Sequence, residues 1–165
     1  MKQHTSKKIL SLVSLAAGVL CLLVAGCAAH LKGVTPQGEK VYLGPVPIRE
    51  TEAYRAYLLG NRTEVAKQNY LFERLRSASD LEFYHNGSWY SPLEAYRGGM
   101  WLMRKRYQKG QDTRTFIRNY VERAEDSRKL HLVRYPDGSV HIGSYVLYNE
   151  LDLLEETAAS EPLGA

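Results

Sequence analysis

Leu130-His131-Leu132-Val133-Arg134-Tyr135-Pro136-Asp137-Gly138-Ser139-Val140-His141-Ile142 reads as two short alternating runs joined by a Pro-Asp-Gly turn. Alternation at period two is the signature of a half-buried strand, and the turn residues fix a hairpin. Leu130, Leu132, Val140 and Ile142 fall on one face, which is expected to be core. With Tyr135 opposite Ser139, His131 and His141 share the other face, diagonally across the hairpin, and are expected to be wet.

A second β element lies upstream. Leu81-Glu82-Phe83-Tyr84 has strand character, and the Asn86-Gly87 pair signals a tight turn before Trp89-Tyr90. Helical patterns fill the space between. Glu50 to Leu59 is a short helix closed by Gly60-Asn61. Thr63 caps a longer one to Ser79, in which Leu71, Phe72, Leu75 and Ala78 share a face. Ser91-Pro92-Leu93-Glu94 has the form of a capping box with proline at the first helical position. The helix it opens carries Gly98-Gly99, which costs about 2 kcal/mol against alanines in a helix interior. The pair fits either a kink between two short helices or a close helix crossing that admits no side chain, and the crossing is favoured. Asp112 or Thr113 caps a helix to about Asp126, with Phe116, Ile117, Tyr120, Val121 and Ala124 as its stripe. Ser144 is expected to cap a last helix that buries Leu147, Leu151 and Leu154. The class is therefore α+β: a mainly helical single domain with a C-terminal hairpin and a short strand or hairpin near residues 81–90.

The N-terminus carries an address. Lys2, Lys7 and Lys8 precede an uncharged apolar run from Ile9 to Gly26, the order of a secretory signal peptide. Leu23-Val24-Ala25-Gly26-Cys27 resembles the lipobox of bacterial lipoproteins. The resemblance implies cleavage before Cys27, a diacylglyceryl group on its thiol and acylation of the new amine. Ala28 in place of an aspartate implies the outer membrane, with the protein facing the periplasm. The expected organisation is a signal peptide over 1–26, a lipidated flexible tether over 27–47, a globular domain over 48–156 and a frayed tail over 157–165. Gly33, Pro36, Gly38, Gly44, Pro45 and Pro47 give the tether its composition.

Cleavage leaves 139 of the 165 residues, enough for one core. It also removes three of the 22 basic residues and none of the 18 acidic ones, so the net charge falls from +4 to +1. That balance argues against a nucleic-acid partner. Of the two cysteines, Cys21 is discarded and Cys27 acylated, so no disulfide is expected.

Residues 64–154 resemble a family of small exported bacterial proteins of uncharacterised function. The resemblance rests on Asp80-Leu81-Glu82-Phe83-Tyr84-His85-Asn86-Gly87, on Glu94-Ala95, on Phe116-Ile117 and on Leu132 to Gly138. Trp101-Leu102 stands where the family tends to have His-Leu, and Ala124 to Lys129 replaces a Ser/Gly-rich stretch. The resemblance implies a fold and an exported address and no activity.

Little in the chain points to catalysis. There is no Gly-x-Ser-x-Gly elbow, no phosphate loop and no free thiol after cleavage, so a non-enzymatic role in the envelope is expected, without a cofactor. The alternative is a metal-dependent factor or enzyme built on His131 and His141, with His85 as a third ligand. Two histidines alone do not complete a zinc site. Charge placement suggests a partner instead. Arg97 to Arg134 holds eleven basic and four acidic residues, and residues 144–165 hold five acids and no bases. Arg104, Lys105, Arg106 and Lys109 are the densest cluster, expected either to meet anionic headgroups or another envelope protein, or to be covered by the acidic last helix. Trp89, near Tyr84 and Tyr90, is a candidate stacking surface.

Overall fold

The computed structural model describes residues 30–161. The expected signal peptide, Cys27 and the last four residues of the expected tail lie outside the described residues. The described chain is α+β and mainly helical. Its elements run α1 (Glu52–Leu59), α2 (Glu64–Ser77), β1 (Glu82–His85), β2 (Ser88–Tyr90), α3 (Pro92–Arg106), α4 (Thr113–Phe116), a π-helical turn (Ile117–Val121), β3 (Leu132–Arg134), β4 (Val140–Ile142) and α5 (Gly143–Ala159).

Local chemistry sets most of these boundaries. Thr51, Thr63 and Asp112 each accept a backbone N–H from the first turn of the helix they cap. Ser91 and Glu94 form the full capping box, with Pro92 at the helix start. Asn86 (φ 49°) and Gly87 (φ 103°) both take positive φ, the conformation a two-residue hairpin turn demands. Gly138 (φ 84°) does the same in the second turn, where Tyr135 N–H donates to Ser139 O at 3.0 Å.

The two hairpins belong to one antiparallel sheet of order β2-β1-β3-β4. Phe83 pairs with Val133 and Tyr84 with Leu132, which joins segments nearly fifty residues apart. The register confirms that His131 and His141 share a face, but it is the helix-covered face. Val133, opposite His141, is 3% exposed and packs with Leu43, Leu81 and Val146, while His141 itself is 1% exposed. The expectation of wet histidines is corrected. Both faces of this hairpin carry apolar residues, and α5 folds over the side holding Val133, Tyr135 and His141. A neutral imidazole is apolar enough to be buried there.

The tether is corrected as well. Residues 31–48 are part of the fold. Leu31 bonds to β4 at both ends, donating to Val140 O and accepting from Ile142 N–H, each at 2.9 Å. Leu43 and Ile48 are 2% and 1% exposed. Asn149 donates to Gly33 O and Val41 O, stapling the segment to α5. Glycine and proline exclude a helical period, but they do not exclude packing of an irregular chain. At the other end, α5 runs to Ala159 with Ala158 buried, so residues 157–159 belong to the helix rather than to a frayed tail.

Two smaller differences follow from the same physics. α5 starts at Gly143 without a side-chain cap, and the Ser144 hydroxyl is buried inside its first turn. The α4 helix stops at Phe116 and widens into the π turn, where Glu122 N–H reaches Ile117 O five residues back.

The main core gathers Ile48, Tyr54, Tyr57, Tyr70, Leu71, Ile117, Leu151 and Leu154. A buried ion pair sits beside it. Glu150, fully buried, accepts from Arg74 Nε at 3.0 Å, from a terminal nitrogen of Arg74 at 3.1 Å, from Tyr70 Oη at 2.9 Å and from Leu43 N–H at 2.6 Å.

Candidate functional site

α3 has strong caps and yet not one fully buried residue. It crosses α2 at Gly99, where an added Cβ would lie 2.7 Å from the Phe72 ring. The close-crossing reading of the glycine pair holds for Gly99 alone, because a Cβ at Gly98 meets nothing within 4 Å. Beyond the crossing, α3 stands away from the sheet and from the π turn. Between α2, α3, the π turn and the helix-covered sheet face lies a cavity of about 1130 Å³ that is open to solvent on one side.

Its lining grades from dry to wet. Leu71, Phe116 and Ile117 are buried at one end. Phe72, Leu75, Leu102 and Tyr120 are half-buried along the walls. Glu94, Glu125 and Asp126 are exposed at the mouth. Arg106 reaches from the end of α3 to an ion pair with Glu125, joining the helix to the loop after the π turn. Such a cavity, largely apolar with a few polar groups, has the anatomy of a small-molecule site.

Gln68 is the unusual member of the lining. It is 3% exposed, and neither its Nε2 nor its Oε1 has a hydrogen-bond partner among the described residues. A buried carboxamide without partners costs roughly 1–3 kcal/mol on the scale of mutational data. Thr113, its neighbour in the lining, is committed elsewhere. Its hydroxyl and N–H both donate to the Glu64 carboxylate, at 2.8 and 2.7 Å. Burial works against that carboxylate, but Lys67 and Thr113 outweigh it and hold its pKa below the usual range. Gln68 was not singled out from the sequence, which offered only the apolar stripe of Leu71, Phe72, Leu75 and Ala78 on this helix. Its spacing to Phe72 and Leu75 is i, i+4, i+7, so it shares their face.

His85 and His131 lie near the cavity mouth, directly paired across β1 and β3, with Nδ1 of His85 2.7 Å from Nε2 of His131. His131 Nδ1 is 2.6 Å from Val121 O. A carbonyl only accepts, so His131 carries its proton on Nδ1, and His85 Nδ1–H donates to His131 Nε2. Burial lowers the His131 pKa, with the Val121 carbonyl opposing it. His141 is separate, packed edge-on against Tyr135 at 5.1 Å, and burial lowers its pKa too. The two nitrogens of the His85–His131 contact face each other, and no group of three or more potential metal ligands occurs among the described residues.

The other sequence candidates scatter. Arg106 belongs to the cavity rim. Arg104, Lys105 and Lys109 are exposed, with no ion pair among the described residues, and Lys105 lies 4.6 Å over the Trp101 ring. Trp101 is 58% exposed. The acidic last helix does not cover them. Its Asp152 and Glu155 are paired with Lys40, Lys67 and Arg114, and Glu150 with Arg74. Trp89 is on the opposite sheet face, half-buried between Tyr84 and the Arg134 guanidinium, which sits 4.2 Å over its ring. Comparison with known proteins finds no matching family model, no similar curated protein and no similar solved structure.

Proposed function

We propose that this protein is a lipid-anchored binding module of a bacterial outer membrane, facing the periplasm, that holds a small apolar guest in the cavity between α2, α3, the π turn and the sheet. The address rests on the basic head, apolar run and Cys27 of the N-terminus. The binding role rests on one observation: a cavity of about 1130 Å³, mostly apolar, that contains a buried and unpartnered carboxamide.

N-phenyl-1-naphthylamine, a dye that brightens in apolar surroundings, tests the reading on the soluble protein from residue 28. Saturable brightening is expected. Ala95→Phe, which sets a ring into the half-buried α3 wall, should abolish it. A wild-type protein that leaves the dye dark refutes the binding role.

A second contact is supported by its own observation. Leu93, Arg97, Arg104 and Lys105 form a stripe along the outer side of α3, and Trp101, 58% exposed and under Lys105, sits between this stripe and the cavity rim. Tryptophan among basic residues suits the headgroup level of a bilayer. α3 would then rest on anionic headgroups while its inner side walls the cavity.

A further inference from the structure

We infer that the cavity selects apolar molecules bearing a neutral hydroxyl or amide, and that Gln68 reads that group. The inference rests on the cavity being a ligand site, as proposed above, and names what enters it.

Gln68 lies where the lining is driest, among Leu71, Phe116 and Ile117. Its carboxamide offers an acceptor and two donors, all without partners among the described residues. A hydroxyl or a primary or secondary amide can donate to Oε1 and accept from Nε2 at once. An ester or ketone accepts only, and leaves Oε1 unsatisfied. An alkane satisfies neither.

Charge is excluded from this end by the same neighbours. The nearest buried ions of α2 are already matched, Arg74 with Glu150 and Lys67 with Glu64 and Glu155. Thr113 has its hydrogens on Glu64. Among the described residues no ionised side chain of α2 is left over to meet a carboxylate or an ammonium beside Gln68, and the lining arginines Arg118, Arg123 and Arg128 are exposed, toward the mouth. Desolvating an ion there costs far more than desolvating a neutral polar group. Phe72, Leu75, Leu102 and Tyr120 then flank the apolar body as it runs toward the mouth. This polarity is the reverse of a fatty-acid site, in which a buried cation holds the carboxylate.

Displacement of N-phenyl-1-naphthylamine by decyl compounds at neutral pH measures the preference. 1-Decanol and decanamide should bind at least tenfold more tightly than decanoate. The sharper comparison is between 1-decanol and undecane, which differ by a hydroxyl in place of a methyl. Gln68→Leu should weaken 1-decanol about tenfold, the loss of roughly one hydrogen-bonding group, and leave undecane within threefold. Gln68→Met should do the same. Both variants should melt no lower than wild type without ligand, because each removes an unpartnered buried amide. Dye that binds while Gln68→Leu leaves 1-decanol unchanged, or while decanoate matches 1-decanol, overturns this inference and spares the cavity as a site. Dye that never binds overturns the site itself. Dye expelled on concentration-dependent dimerisation makes a second copy the occupant, and overturns both.

Discussion

Glu150→Gln should be among the most damaging single substitutions in this chain. The carboxylate is fully buried and receives four hydrogen bonds: two from Arg74, one from Tyr70 and one from Leu43 N–H. Glutamine keeps the shape but removes the charge, and its amide nitrogen turns a donor toward other donors. The Arg74 guanidinium, whose side chain is 4% exposed, is then a buried cation with no counter-charge, left with the single amide oxygen and Pro45 O as acceptors. Removing one partner of a buried pair costs about 3–5 kcal/mol. Total stability of a domain is about 5–15 kcal/mol, so this is a large fraction of it. For a chain of this size it lowers Tm by roughly 6–20 °C, at 2–4 °C per kcal/mol. Thermal melts followed by circular dichroism measure it directly. The double variant Arg74→Met/Glu150→Leu removes both charges, and should melt above either single variant. A Glu150→Gln protein melting within 3 °C of wild type would refute the reasoning.

Five further outcomes are expected, four from this structure and one, at Cys27, from the sequence. A chain starting at Ile48 should melt well below one starting at residue 28 and lose cooperativity, since it lacks Leu43 and its bond to Glu150. His131 and His141 have pKa values lowered in the folded state, so below about pH 6.5 the unfolded chain gains protons that the folded chain refuses; Tm should hold above that pH and fall as pH drops below it, with a shallower slope in His141→Leu. Gly98→Ala should raise stability by up to about 1 kcal/mol in urea melts, whereas Gly99→Ala, whose Cβ would meet Phe72 at 2.7 Å, should not. In cells, Cys27→Ser should abolish acyl labelling; the soluble protein should bind anionic vesicles at low salt, and Arg104→Glu/Lys105→Glu should weaken that binding.

What could be read from the sequence was local. Thr63, Ser91 and Asp112 announce helix starts because a cap acts within three residues of itself. Asn86-Gly87 and Asp137-Gly138 announce turns for the same reason. The features that were misread depend on distant partners. Alternation across 130–142 offers two apolar faces, and only the position of α5 decides which is deeper. Glu150 reads as one of five acids on a solvated helix, because its partner Arg74 is 76 residues away. Residues 31–48 have no period to read, since their order comes from Asn149, Glu150 and the edge of β4 rather than from their own backbone. The cavity itself has no sequence signature at all. It is the space left where Gly99 lets α3 approach α2 on one side while the helix diverges from the sheet on the other.

That divergence explains a tension in α3. The helix is well made by its own ends: the Ser91–Glu94 box, Pro92, and Arg104, Lys105 and Arg106 in the last turn, where cations suit the helix dipole. It owes little to the core, since none of its residues is buried. A segment stable as a helix but weakly seated can shift as a rigid body without unfolding, and low local burial is where such motion is expected. Its closest approach to α2 is the Gly99 crossing, and its far end is held by the exposed Arg106–Glu125 pair, which contributes little on its own. Filling the cavity adds apolar contacts along the inner side of this helix at roughly 25 cal/mol per Å² removed from water. A bound guest would therefore stabilise α3 more than any other element. Hydrogen exchange should show this as added protection concentrated in α3 amides when 1-decanol is present. Protection spread evenly over α2, α3 and α5 would mean that the guest stiffens the whole domain and that α3 is no softer than its neighbours.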